Sequence, residues 1–207
     1  MGGSDAERLT CFWAKSDAGG QPLRAWVDES GSDQTRDPGA YVLAAAVGCR
    51  ESEEGTRERM LQLRLRRQSK LHWRDEGESR RESIIHTVAA CDLELIVVVF
   101  SGHVEDRPER RRRKCLETML FTLGAGRVTD IILESRGKAD DRRDIELINA
   151  LRGRPSLDHS TRLTHVIGRQ EPMLWVPDAV CGAVTSARTG YQGYLDILGP
   201  RLTIITI

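Results

Sequence analysis

The sequence predicts an α/β protein in which a mixed β-sheet is flanked by helices. Short runs rich in β-branched residues alternate with helical patterns along the chain. The first two strand-like runs precede any helix, which favours a sheet that is only partly parallel. The chain has 207 residues, 39% of them hydrophobic and 30% charged, enough for one domain with a substantial core. We expect residues 23–207 to form a single domain and residues 1–22 to be an N-terminal extension.

The predicted strands are short segments of apolar or alternating residues. Residues 23–29 (LRAWVDE) alternate and end at a Ser-Gly-Ser turn. Residues 40–47 are continuously apolar, which is typical of a strand buried on both faces. Similar runs predict further strands at residues 93–100, 129–134, 163–168 and 202–207.

Five segments show apolar residues at helical spacing: residues 51–68, 78–91, 108–123, 140–151 and 177–187. Pro108 and Pro177 suit the first turns of their helices. The segment 51–68 has only a thin apolar stripe, in which Leu61 and Leu65 are four residues apart. These helices separate the strands and predict helical layers on both faces of the sheet.

Composition excludes several classes of protein. Lys plus Arg and Asp plus Glu both number 31, so affinity for nucleic acid must come from local basic patches. The longest apolar run has ten residues, about half of a membrane span, and the N-terminus lacks a signal-peptide pattern. The five scattered cysteines and five histidines show no zinc-binding spacing. Phosphate-binding glycine loops are absent. We therefore expect a soluble, cytoplasmic protein without a membrane partner.

Three acids occupy positions where α/β proteins build active sites. Asp28 ends the first strand, Glu134 ends the strand 129–134, and Asp178 lies in the first turn of helix 177–187. Strand ends and adjoining helix starts converge on one rim of a sheet. Three carboxylates gathered there would repel one another unless protonated or bridged by cations. Such a group suits one or two Mg²⁺ or Mn²⁺ ions, which can support phosphodiester hydrolysis. Each acid also has an ordinary alternative as a turn residue, a solvated strand end or a helix-dipole partner.

Four motifs resemble the domain of unknown function 3800 family. They are V-D-E-S-G at residues 27–31, K-L-H at 70–72, I-L-E-S at 132–135 and L-W-V-P-D-A-V-C-G-A-V at 174–184. The resemblance extends over most of the chain, from about Leu23 to Ala187. It implies a ribonuclease H-like fold whose first strand, a middle strand and last helix carry metal-binding acids. By this resemblance the catalytic and metal-binding residues are Asp28, Glu134 and Asp178.

Three further residues complete the predicted site. Glu117 is the nearest candidate for a fourth acid, although it lies outside the matched motifs. Glu29 belongs to the matched motif and is interpreted as a residue that orients its neighbours. Gly182, one turn beyond Asp178, is expected to let its helix approach the sheet closely. Ordinary tight packing explains this glycine equally well.

Two segments are locally basic. Residues 57–81 contain nine Arg or Lys against four acids, and residues 105–114 contain six against three. A charge run is often only a solvated face, and core packing explains Leu71 and Trp73 as well as a substrate role does. Lys70 could hold a phosphate and His72 could orient water or substrate. The candidates for substrate or phosphate contacts are Ser30, Lys70, His72, Arg110, Arg111, Arg112 and Arg113.

Two functions remain open from the sequence. The first is a metal-dependent nuclease or phosphodiesterase that acts on DNA or RNA through the three acids. The second is a ribonuclease H-like module without catalytic activity, which binds nucleic acid or a partner protein through its basic segments. A second copy of the chain is a further candidate partner.

Overall fold

A computed structural model describes Trp13 and residues 22–31, 35–152 and 157–207, and it contains the predicted mixed sheet. β1 (Leu23–Gly31), β2 (Ala40–Cys49) and β3 (Glu94–Ser101) form a central antiparallel meander. β4 (Asp130–Glu134) and β5 (Arg162–Val166) extend the β1 side in parallel, and β6 (Leu202–Thr206) pairs in parallel with β3. The strand order is β5-β4-β1-β2-β3-β6.

Helices cover both faces of the sheet. They are α1 (Arg50–Leu63), α2 (Glu78–Ala89), α3 (Pro108–Ala125), α4 (Lys138–Leu151), α5 (Trp175–Arg188) and α6 (Gly193–Leu198). Helices α1, α2, α5 and α6 contribute to one hydrophobic cluster, and we call their side of the sheet the α5 face. Helices α3 and α4 contribute to a second cluster on the opposite side, the α3 face. The three-layer α/β prediction is confirmed, and α6 is the one named helix that the sequence did not predict.

The centre of the sheet explains the longest apolar run. β2 lies between β1 and β3, and nine of its ten residues are buried. Ala44 and Ala46 belong to the cluster on the α5 face, whereas Ala45 belongs to the cluster on the α3 face. Because both sides of this strand meet helices, it has no solvent side and shows no polar alternation.

Helix α1 differs from its prediction. It ends at Leu63, so Leu65 lies beyond it, and Leu61 and Leu65 are 43% and 51% exposed. The buried side of the helix is formed instead by Met60, Thr56 and Glu53. The Glu53 carboxylate pairs with Arg57 at 3.1 Å, so an ion pair is found where the predicted stripe would have placed apolar side chains. The predicted leucine stripe is therefore wrong.

Only Trp13 and Pro22 of the expected N-terminal extension belong to the described residues. Trp13 packs against the cluster on the α3 face, and the remainder of residues 1–22 lies outside the described part. Among the residues described, no helix combines the length and the apolar character needed to cross a membrane. Cys49, Cys91, Cys115 and Cys181 are free thiols.

Candidate active site

The parallel strands β1 and β4 carry Asp28 and Glu134 on the same face of the sheet. Val27 pairs with Leu133 in the parallel register, so the two acids follow at the next position of each strand. Val27 and Leu133 both belong to the cluster on the α3 face. Because side chains alternate along a strand, Asp28 and Glu134 face the opposite way, toward α5. The structure thus brings together two of the predicted acids.

Asp178 joins the same region from the first turn of α5. Its carboxylate accepts a hydrogen bond from the main-chain N–H of Trp73 at 2.8 Å and lies 3.0 Å from His72 Nδ1. One turn along the helix, the Cys181 thiol donates to the main-chain oxygen of Asp28 at 3.5 Å. These contacts attach both the K-L-H segment and β1 to α5. Asp178 is therefore more than a partner for the helix dipole.

Lys70 lies between the first two acids. Its Nζ is 2.5 Å from Glu134 Oε2 and 3.9 Å from Asp28 Oδ2. Burial opposes the charged form of the ammonium, but the surrounding carboxylates outweigh this cost and raise the pKa of Lys70. A positive charge of the protein itself thus occupies the place where sequence reasoning expected a metal ion or a phosphate.

The electrostatics of Asp28 reflect its burial beside two other acids. Burial raises the pKa of Asp28 well above its ordinary value, and the negative charges of Glu134 and Asp178 raise it further. A hydrogen bond with Glu134 favours the protonated form as well, whereas Lys70 acts in the opposite direction. His72 has a raised pKa, chiefly because Asp178 accepts its hydrogen bond. The three carboxylates therefore carry more negative charge than such a buried position favours, and this negative charge attracts cations.

Gly168 makes room for the Glu134 carboxylate. A Cβ atom at this position would lie 2.3 Å from Glu134 Oε1 and 2.4 Å from its carboxyl carbon. The Trp175 indole N–H donates to the Gly168 carbonyl at 2.7 Å and fixes this backbone against the start of α5. Sequence reasoning missed this glycine, because no local pattern marks a residue whose role depends on a side chain 34 positions away.

Gly182 has a different partner from the one expected. A Cβ atom on this residue would lie 2.2 Å from the ring of Trp73. Because Gly182 has no Cβ atom, the indole of Trp73 can lie against α5, next to Asp178. The contact between this helix and the sheet is made by Cys181. The expectation that Gly182 lets its helix approach the sheet closely is therefore wrong, although Gly182 does lie beside the site.

Glu29 lies on the α3 face, since side chains alternate along β1. Its carboxylate pairs with Arg112 at 2.6 Å and Arg136 at 3.4 Å, and its main-chain N–H donates to Asp28 Oδ1 at 2.8 Å. The Glu29 side chain thus anchors β1 on the α3 face, whereas its main-chain N–H contacts the Asp28 carboxylate on the α5 face. Glu117 belongs to α3 on this same face, so the structure does not bring it to the three acids.

The arginine run 110–113 is divided between interior and surface. Arg111 is 5% exposed and donates to the carbonyls of Pro38, His103 and Val104. Arg112 is 2% exposed and pairs with Glu29 and Asp144.

The predicted phosphate contacts of Arg111 and Arg112 are therefore corrected, because the donors of both guanidiniums are directed to groups inside the protein. Arg110 is exposed and pairs with Asp106 at 3.3 Å, and Arg113 is exposed on α3, across the sheet from the acids.

An open, polar cleft of about 910 Å³ borders the site. Ser30 at the end of β1, His72 and Asp178 are among its lining residues. The C-terminal half of α5, the residues after it and the segment around Trp73 also contribute to the lining. The cleft gives a large polar ligand access to the edge of the carboxylate group.

The donor set suits a hard divalent cation, although a finished metal site is not preformed. Within the described ranges, no group of three or more His, Cys, Asp or Glu side chains is arranged to hold a metal ion. Carboxylate oxygens are the donors that Mg²⁺ and Mn²⁺ prefer, and the mutual repulsion at Asp28 is the electrostatic state that such an ion would relieve. The residues fit the ion in chemistry and location, provided that the Lys70 ammonium moves.

Comparison with known proteins gives a fold and no family. The sequence matches no protein-family model and no curated protein. A chain in the structure of the PCNA:RNase HII complex from Archaeoglobus fulgidus is similar with a TM-score of 0.54 and 16% identity, over 80% of this chain and 74% of that one. Ribonuclease H2 from Pyrococcus horikoshii OT3 is similar with a TM-score of 0.51 and 15% identity, over 80% and 73%.

The ribonuclease H-like fold is thus confirmed. Both solved structures are matched over about three quarters of their length and in most of this chain. The resemblance to the domain of unknown function 3800 family stays a prediction, because no family match supports it.

Proposed function

We propose that this protein is a divalent-metal-dependent phosphodiesterase that cleaves nucleic acid, with Asp28, Glu134 and Asp178 as its metal-binding residues. One observation carries the proposal. Asp28 on one strand is buried, the negative charges of Glu134 from a second strand and Asp178 from a helix raise its pKa, and the Lys70 ammonium lies between Asp28 and Glu134. A solvated strand end or a helix-dipole partner would not bury Asp28 beside two other acids, because that arrangement costs stability.

The proposed cofactor is Mg²⁺ or Mn²⁺, as one or two ions. When bound, such an ion neutralises charge on a phosphodiester and makes water a better nucleophile. Asp28, Glu134 and Asp178 would hold it. His72 and the Trp73 N–H restrain the Asp178 carboxylate through their hydrogen bonds, and Gly168 leaves the space that Glu134 occupies.

Lys70 has two roles in this proposal. In the structure it neutralises Glu134 and Asp28. Its flexible four-carbon stem lets the ammonium leave Glu134 without a change in the backbone. Once released, the same group lies next to the site with a full positive charge, where it can contact a substrate phosphate.

Nucleic acid is the proposed substrate class, and its support comes from the neighbours in structure. Both are ribonucleases by name, and in this chain Asp28, Glu134 and Asp178 belong to β1, β4 and the first turn of α5. One of those enzymes forms a complex with PCNA, so a partner protein is proposed here as an alternative to self-association. A cytoplasmic location remains a prediction.

The test is metal-dependent cleavage by the wild type and by Asp28→Asn. Labelled single-stranded DNA, single-stranded RNA, duplex DNA and an RNA–DNA hybrid are incubated with Mn²⁺, with Mg²⁺ and with EDTA. We expect the wild type to cleave at least one substrate only with a divalent ion, and Asp28→Asn to fall to the EDTA background. Asp92→Asn is the matched control, since the Asp92 side chain is 88% exposed. Equal cleavage by the wild type and Asp28→Asn would overturn the assignment.

A binding module without catalysis is the second candidate, and the same ion pairs favour it. Lys70 and His72 already satisfy much of the charge of the acids. This candidate predicts oligonucleotide binding that weakens with salt, persists in EDTA and is unaffected by Asp28→Asn, without cleavage of any substrate.

A further inference from the structure

Three of the residues that line the cleft are aromatic and form a row of contacting rings. Trp73 and Tyr194 meet edge to face with their centroids 5.0 Å apart, and Tyr194 and Tyr191 are 4.6 Å apart. Trp73 and Tyr194 are buried, whereas Tyr191 is 45% exposed. The two inner rings thus fix an outer ring that solvent reaches, at the point where α5 has ended and the chain turns into α6.

Guanidinium groups accompany this aromatic row. Arg81 lies over the Trp73 ring at 5.1 Å and donates to the Trp73 carbonyl, which stabilises the inner end. Arg74 also lines the cleft and is exposed, and its side chain makes no ion pair or hydrogen bond within the described part of the chain. The same cleft is therefore lined by an exposed aromatic ring, by the uncommitted guanidinium of Arg74, and by Asp178 and His72 of the site.

This combination suits a single nucleic-acid strand better than other ligands. Proteins bind single strands by stacking bases on aromatic side chains and by holding phosphates with cations, and this recognition tolerates any sequence. A base can stack on a protein ring only when it is not enclosed in a duplex. Small-molecule pockets are mostly apolar, whereas this cleft is lined by arginines, hydroxyl groups and acids.

We propose that the cleft binds a single strand of DNA or RNA, with a base stacked on Tyr191 and a backbone phosphate on Arg74. The inference rests on the proposed function for its biological meaning, because a strand held there leads past Asp178 to the carboxylates. It specifies the form of the substrate, which is single-stranded or locally unpaired. It also assigns binding roles to Tyr191 and Arg74, which belong to none of the sequence motifs.

The test measures binding in EDTA, so that cleavage plays no part. Fluorescence anisotropy follows labelled oligo-dT and oligo-U, and a hairpin duplex, against the wild type and four variants. Tyr191→Ala is expected to weaken single-strand binding about 5- to 150-fold, the range for loss of one stacked base. Tyr191→Phe keeps the ring and is expected to bind within about twofold of the wild type. Thermal melting of each variant checks that the fold is retained.

Arginine variants test the phosphate contact separately. Arg74→Gln is expected to reduce the slope of log affinity against log salt by about 0.7, the value for one phosphate contact on a single strand. Arg142→Gln is the matched control, because the Arg142 side chain is 80% exposed and belongs to α4 on the α3 face, across the sheet from the cleft. Its salt slope should equal that of the wild type.

The outcomes separate this inference from the proposed function. Tyr191→Ala binding as tightly as the wild type, or the hairpin binding as tightly as oligo-dT and oligo-U, would overturn the single-strand cleft. Arg74→Gln and Arg142→Gln changing the salt slope equally would overturn the role of Arg74. The expected binding pattern together with equal cleavage by the wild type and Asp28→Asn would overturn only the catalytic proposal.

Discussion

Replacing Arg112 with methionine is expected to destabilise the protein strongly. The guanidinium is 2% exposed and pairs with Asp144 through two nitrogens and with Glu29 at 2.6 Å. Methionine retains much of the volume but removes the charge, which leaves the buried Asp144 with His165 as its remaining partner. Removing one member of a buried ion pair costs about 3–5 kcal/mol, because the other charge stays desolvated.

The magnitude is large enough for a direct comparison within the arginine run. For a protein of this size, about 3–5 kcal/mol corresponds to a fall in Tm of about 6–20 °C. Arg113→Met changes the adjacent, exposed arginine and is expected to alter the unfolding free energy by less than about 0.5 kcal/mol. Urea denaturation and thermal melting of both variants measure the difference. Equal stabilities of the two variants would refute the reasoning that Arg112 is an internal counter-ion.

Three other predictions follow from the site and its support. Gly168→Ala is expected to displace the Glu134 carboxylate and to abolish Mn²⁺-dependent cleavage while oligonucleotide binding in EDTA is retained; cleavage equal to the wild type would contradict this. Lys70→Met is expected to tighten Mn²⁺ binding by at least about fivefold in calorimetry, because a charge within 4 Å of the acids no longer competes, whereas Lys70→Arg should resemble the wild type. Burial alone would raise the pKa of Asp144, but hydrogen bonds from His165 and Arg112 outweigh it and hold that pKa below its ordinary value. The ionised Asp144 carboxylate therefore stabilises the folded state above its unfolded pKa of about 3.9, and this stabilisation is lost as the pH falls through its lower folded pKa. Unfolding free energies from pH 7 to 3 should fall more steeply for the wild type than for Asp144→Asn.

The strands could be predicted because their signals are local. Residues 23–29 do form part of β1, although residues 25–28 are all buried and do not alternate with solvent, and in β2 a continuous apolar run corresponds to burial on both faces. The three acids were predictable for a related reason: each stands at the end of an element, and element ends can be placed from sequence to within a few residues. Parallel pairing of β1 with β4 then brings Asp28 and Glu134 to one rim.

The burial of charged side chains could not be predicted in the same way. Residues 110–113 are four arginines in succession, and nothing in their immediate sequence distinguishes the buried pair from the exposed pair. The difference arises because positions 111 and 112 meet the loop at Pro38 and the carboxylate of Asp144, which are 73 and 32 residues away. The basic run therefore predicted an exposed surface, although the fold uses two of its four arginines in the interior.

Under the proposed function, the charge balance at the rim lets an acidic cluster persist in a stable fold and also bind a metal ion. Three carboxylates in one partly buried region would destabilise it, but Lys70 and His72 each supply a partner. These two partners differ in mobility. His72 is followed directly by Trp73, whose main chain is bound to Asp178, so its position is fixed by α5. Lys70 reaches the acids only through its long side chain, so a divalent ion can displace the ammonium while the backbone that aligns Asp28, Glu134 and Asp178 stays in place.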